Sequence, residues 1–215
     1  MPTETPGLPG RRRQAAQNDG AILDAAREVF LADPKAPIAA VAKRAGVGIS
    51  ALYRRYPAKE DLLRTLCQEG LHRYIAEAEA ALAEPDPWDA LAGFLRRVVE
   101  ADVHSLTVHL AGTFPPDAEL GRAAARADEL ATELVGRAAA AGRLRPEVVV
   151  QDVGLALEAC AAVRVPDPER TRDLRRRVLA ALLAGLTGDA AARPPLPGPP
   201  PQPGELSWRW RQSAE

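Results

Sequence analysis

Between Ile38 and Leu63 the chain reads IAAVAKRAGVGISALYRRYPAKEDLL, and no other stretch restricts the fold as much. Ile38, Val41 and Ala42 recur at helical spacing and predict a short helix. Gly46 ends it, because glycine accepts the left-handed backbone of a tight turn. Val47 fills the gap to a second helix, opened by Gly48-Ile49-Ser50. That helix turns Leu52 and Tyr56 inward and leaves Ser50, Tyr53, Arg54 and Arg55 on its outer face. Pro57 stops it. Lys59 falls in the first turn of the next helix, where a cation coincides with unpaired backbone donors. Two short helices joined by a glycine turn make a helix-turn-helix, whose outer face offers guanidinium, phenol and main-chain groups that can donate to phosphate.

At these residues the chain resembles the DNA-binding motif of TetR-family transcriptional regulators. The alanine, the turn glycine, Leu52-Tyr53, the aromatic Tyr56 and the lysine two positions beyond Pro57 recur at that family's spacing, over roughly the first third of the chain. The resemblance implies phosphate contacts from Tyr53, Arg55 and Lys59 and places Ile49 and Ser50 where base edges are approached. The DNA-facing set it implies is Arg44, Gly48, Ile49, Ser50, Tyr53, Arg54, Arg55 and Lys59. Two positions depart from the family. Ala51 stands where Thr or Ser often precedes Leu-Tyr, which removes a hydroxyl. Pro37 and Ala40 stand where a capping box is common, although Pro37 can still start a helix by fixing φ.

Charge is distributed to match. The chain of 215 residues has a net charge of −1, yet positions 1–59 hold 10 Lys or Arg against 5 Asp or Glu. The basic end is the end that carries the motif. No run of about 18 apolar residues exists to span a membrane, and Arg11-Arg12-Arg13 leads into polar Gln14, Gln17 and Asn18 rather than the apolar core of a signal peptide. A cytoplasmic protein is expected. Cys67 and Cys160 stand far apart in helical contexts with no neighbour at metal-ligand spacing, so both read as buried small hydrophobes.

The rest of the chain predicts an all-α fold of about nine helices. Residues 1–17 read as a mobile basic arm, with Arg11, Arg12 and Arg13 either touching DNA or simply solvated. A helix capped by Asn18 or Asp19 then buries Ile22, Ala25, Ala26, Val29 and Phe30, completing a helix-turn-helix domain over 18–57. Residues 58–188 form the larger domain. It begins with a long connecting helix over 58–83, which the resemblance makes the element that transmits a signal to the reading helix. Further helices follow from Trp88, from His104, from Asp117 to about Ala141, from about Val149 to Val163 and from Pro168 to Leu186. The last two are apolar over more than one face; in TetR relatives such helices pair with their copies. Val153, Leu157, Cys160, Val178, Leu182 and Leu186 are therefore expected at a homodimer interface, with burial in the protomer's own core as the alternative. Residues 189–215 form a proline-rich tail ending in Trp208-Arg209-Trp210-Arg211, expected to be disordered.

Phe94, Val98, His104, Val108, Phe114 and Leu134 could enclose an apolar effector cavity. His104 and His109 lie about 140° apart round a helix and make poor joint metal ligands. No nucleophile-base pair, phosphate loop or paired-cysteine motif appears, so neither enzyme, metal nor cofactor is expected. The resemblance implies a homodimer on a double-stranded palindromic operator, released by a small-molecule effector of unknown identity, with no membrane partner. The alternative is a DNA-binding dimer without an effector.

Overall fold

The computed structural model describes residues 9–110, 112–187, 196–197 and 199–203, with side chains from position 19 onward. Its described residues form nine helices: α1 (Pro9–Ala32), α2 (Ile38–Ala45), α3 (Ile49–Arg55), α4 (Lys59–Leu82), α5 (Pro87–Glu100), α6 (Val103–Leu110), α7 (Ala118–Ala140), α8 (Val150–Ala162) and α9 (Pro168–Leu186). The chain divides into two compact units, Met1–Leu66 and Cys67–Glu215, and α4 contributes to both. Among the described residues no helix is long and apolar enough to cross a membrane.

Most helix boundaries follow local chemistry. Asp86 accepts from the amides of Trp88 and Asp89 at 2.8 and 2.9 Å, and Pro87 is the first residue of α5. Asp117 caps α7 through the Leu120 amide at 2.8 Å, and Asp167 with Pro168 opens α9 in the same way. One boundary was misplaced. α1 starts at Pro9, not at Asn18 or Asp19, so the backbone over 9–17 is helical where a mobile arm was expected. After Pro9 and Gly10 the run is Arg, Gln and Ala, all good helix formers with no internal breaker. Residues 1–8, the side chains of Arg11, Arg12 and Arg13, and the Trp-Arg tail lie outside the described residues.

In the first unit, Ile22, Ala26 and Phe30 of α1 are buried with Val41, Leu52, Leu62 and Leu63. Burying a side chain the size of leucine or phenylalanine contributes about 1.5–3 kcal/mol, which is how helices as short as α2 and α3 persist.

The core of the second unit is built from Leu91, Phe94, Leu95 and Val98 on α5, Leu130 and Leu134 on α7, Val153, Leu157 and Cys160 on α8, and Leu179 and Leu183 on α9. α5 packs on α7 and α9, and α8 on α6 and α9. Arg137 of α7 donates to the Leu82 and Glu84 carbonyls at 2.7 and 2.9 Å and so closes the end of α4. The turn after α7 uses Gly142 at φ +67°. It is pinned to the end of α9, because the Arg145 amide donates to the Leu186 carbonyl at 3.1 Å and Leu144 forms an isolated bridge with Thr187. Both cysteines are buried and free. Burial pushes the Cys67 thiol up to about 12, so it behaves as a hydrophobe.

One buried cation ties α9 to the end of α8 and to the turn between α5 and α6. Arg175 of α9 is only 3% exposed. It donates to Asp102 at 2.6 Å and to the carbonyls of Val163 and Ala161 at 3.1 and 3.4 Å. Asp102 itself sits at φ +51°, turning the chain from α5 into α6. Arg175→Ala strands those acceptors and should cost about 3 kcal/mol in urea unfolding followed by helicity. Arg126→Ala removes an exposed pair with Glu79 and should leave the midpoint where it is.

Candidate nucleic-acid interface and second-unit cavities

The glycine turn is built as the sequence requires. Gly46 adopts φ +67° and its amide meets the Ala42 and Lys43 carbonyls, while the Val47 amide donates to Ala42 at 3.1 Å. Pro37 precedes α2 with no side-chain cap, as the missing capping box implies. Leu52 and Tyr56 are buried. Ile49 and Tyr53 are 40% and 48% exposed, large apolar and aromatic groups in water. Gly48, Ser50, Arg54 and Arg55 are exposed beside them, and Arg44 is exposed on α2.

The cations divide into tethered and untethered. Arg44 pairs with Glu28 of α1. The Arg55 guanidinium meets both carboxylate oxygens of Asp19 at 3.1 and 3.2 Å, and this contact raises its already high pKa; it also lies 5.6 Å from the Tyr56 ring centre. Arg54 and Lys43 have no carboxylate partner among the described residues. Lys59 differs most from expectation. Its ammonium donates to the Pro34 and Ala36 carbonyls at 2.9 and 2.8 Å and lies 5.0 Å from the Phe30 ring centre, so it fastens the loop between α1 and α2. At the same helix start, the Asp61 carboxylate accepts from the Ala58 amide at 3.0 Å. Asp19, expected as a helix cap, instead partners Arg55, and a pairing 36 positions apart leaves no local signal in the sequence.

The second unit contains two adjoining cavities. One, of about 210 Å³, is lined by Gly70, Tyr74, His104, Val108, Leu157 and Glu158 among others. The other, of about 450 Å³, includes Asp128, Gln151 and Val153, and the two share Tyr74, Ala127 and Gly154. Of the expected effector set, His104 and Val108 line the smaller cavity. Phe94, Val98, Phe114 and Leu134 are fully buried core and line neither; Phe94 meets Tyr74 edge-on with ring centres 4.9 Å apart. Mid-helix glycines at Gly70 and Gly154, each costing about 1 kcal/mol relative to alanine, were the available sequence signal.

His104 is 5% exposed, and neither ring nitrogen meets a partner in hydrogen-bond geometry among the described residues, while the Val98 backbone favours a proton on the ring. Burial, offset in part by Asp102, holds its pKa at about 4, so the ring is neutral at pH 7. His109 instead donates from Nδ1 to the Ser105 carbonyl at 2.8 Å.

The expected dimer residues also separate. Val153, Leu157 and Cys160 are buried inside the protomer and present no surface to a second copy, whereas Val178, Leu182 and Leu186 are half-buried. The apolar face left open consists of Leu155, Ala159 and Ala162 on α8 and Leu174, Val178, Ala181 and Leu182 on α9. Helices apolar all round can be partitioned between core and surface only once their neighbours are known.

A basic helix-turn-helix unit followed by an all-helical unit defines a helix-turn-helix DNA-binding regulator. The family model described as "Bacterial regulatory proteins, tetR family" matches residues 22–66, and that described as "Transcriptional regulator SbtR-like, C-terminal domain" matches residues 86–188. The chain belongs to the TetR family of transcriptional regulators, which are DNA-binding factors and not enzymes. It is 37% identical over 122 residues to the HTH-type transcriptional repressor LfrR of Mycolicibacterium smegmatis, a match spanning 55% of this chain and 63% of that protein. The solved structure of LfrR from Mycobacterium smegmatis in complex with proflavine superposes with a TM-score of 0.60 at 30% identity, covering 84% of this chain and 99% of that one. A TetR transcriptional regulator from Streptomyces coelicolor gives 0.58 at 29% identity, covering 80% and 99%.

Two outcomes follow from the geometry. Because folded His104 takes its proton near 4 and an unperturbed histidine near 6.5, the unfolded chain binds more protons between those values. Its contribution to stability is complete above about 6.5 and is lost as pH falls towards 4; thermal unfolding of His104→Leu should show a shallower decline over that window than the wild type. Lys59→Met, which keeps the stem and removes two charge-assisted bonds, should destabilise the first unit by about 2 kcal/mol in amide exchange of α2.

Proposed function

We propose that this protein is a repressor that binds a palindromic operator as a homodimer and releases it when a small organic molecule occupies the second unit. The observation that carries the DNA half is the face of α3, where Ile49, Ser50, Tyr53 and Arg54 stand in solvent while Leu52 and Tyr56 hold the helix from behind. Ile49 and Ser50 read base edges from the major groove. Tyr53, Arg54 and Arg55 hold phosphates, with Arg44, Lys43 and the backbone at Gly48 alongside. Lys59 serves chiefly by fixing the loop ahead of α2, leaving its remaining N–H for phosphate. On this reading 18–57 is the DNA-binding domain and 58–188 the effector and dimer domain, working in the cytoplasm.

Dimerisation uses the open apolar stripe of α8 and α9, including Leu155 at 41% exposure. Support for repression and release comes from similarity to LfrR, a repressor whose structure holds proflavine. A DNA-binding dimer without an effector predicts a closed second unit, and the cavities of about 210 and 450 Å³ count against it.

The test is fluorescence anisotropy on duplexes from upstream of the protein's own gene and from random-sequence selection. Arg54→Ala and Tyr53→Phe should weaken binding to all sequences alike, and Arg54→Ala should flatten the salt dependence by about one phosphate. Ser50→Ala should change the preferred sequence; equal losses on every duplex would sink base reading there. Asp19→Asn frees Arg55 from its carboxylate, so affinity should rise and the salt slope steepen by about one.

A further inference from the structure

The proposed effector site has a recognisable chemistry, and this inference rests on that reading of the cavities. Among the described residues no lysine or arginine lines either one. Carboxylates stand at both: Glu158 at the smaller and exposed Asp128 at the larger. Asp128 is close enough to the shared wall for its charge to raise the pKa of the Tyr74 hydroxyl, after the larger effect of burial. At the far end His104 is nineteen-twentieths buried with both nitrogens unpartnered. Unsatisfied polar atoms in a core are costly unless something meets them. The ring is neutral, so it calls for a hydrogen-bonding edge and not for an anion. The other walls of the smaller cavity are mostly apolar, with Leu71, Val103, Val108 and Leu157, joined by Tyr74 and Thr107.

We propose that the adjoining cavities bind an amphipathic organic cation, its apolar body lying along Val108 and Leu157 with one polar edge towards His104, and its positive charge beside Asp128. A carboxylate ligand would bring a second negative charge to Asp128 with no cation to balance it. A neutral ligand would gain the apolar contact alone. A cation gains both.

Isothermal titration calorimetry on the full-length protein at pH 7.5 and low salt, with three probes sharing one ring system, tests the assignment: 1-naphthylmethylammonium, 1-naphthylmethanol and 1-naphthoate. The ammonium should bind about tenfold tighter than the alcohol, and the naphthoate weakest. Asp128→Asn alters an exposed side chain, so it should fold normally, bring the ammonium to within about twofold of the alcohol and leave the alcohol unchanged; Asp128→Lys should place the naphthoate above the ammonium. The proposal is overturned if none of the three binds, if the alcohol or naphthoate matches the ammonium on the wild type, or if the ammonium preference survives in Asp128→Asn. Operator anisotropy in the same samples separates the two readings. Saturation by the ammonium without DNA release would leave the cation site standing and remove effector release, whereas absent binding beside intact operator affinity would remove the cation site alone.

Discussion

A guanidinium placed inside a helical core must have its donors met there, because the cost of an unpaired buried charge exceeds most packing gains. Arg175 satisfies this condition with one carboxylate and two main-chain carbonyls drawn from the end of α8, the strand of chain after it and the turn before α6. The arrangement explains why a non-glycine residue, Asp102, tolerates φ +51°: short polar side chains accept that region most readily, and here the carboxylate is held by the cation. With the turn fixed, α6 starts at Val103 and the imidazole of His104 is delivered into the interior one position later. The cavity and the buried ring therefore depend on an ion pair outside the lining itself.

The first unit shows a different use of charge. Its basic balance is not a uniformly free positive surface, since Arg44 and Arg55 meet carboxylates of α1 and Lys59 meets carbonyls of the following loop. Exposed pairs of this kind contribute little to stability, so phosphate can replace Glu28 or Asp19 at modest cost. The Lys59 contacts are partly buried and combine two hydrogen bonds with an aromatic face, which makes them structural. One sequence motif thus contains cations of two sorts, separable only by which groups each nitrogen meets.

The two cysteines and two of the three histidines illustrate how burial mutes reactivity. Cys67 is held protonated by its surroundings, and His104 is held neutral by its own; His109 spends its Nδ1 proton on the carbonyl one turn back. None of these groups is arranged as a nucleophile with a base, in keeping with a family that binds and does not catalyse.

Helix order, the glycine turn, the inward Leu52 and Tyr56 and the outward Tyr53 and Arg54 were legible in the sequence, because apolar period, glycine and proline act within a few residues and need no tertiary partner. The Asp-Pro starts of α5 and α9 are local in the same sense. Tertiary structure alone decided which faces of α8 and α9 are core and which are open, that Phe94, Val98, Phe114 and Leu134 fill the interior while Tyr74, Ala127 and Gly154 border space, and that Lys59 is tethered. Each of these depends on groups brought together from distant positions, such as Lys59 with Pro34 and Arg175 with Asp102. A one-dimensional period reports which face of a helix is apolar, but a cavity is a mismatch between faces, and only packing reveals where the side chains fall short.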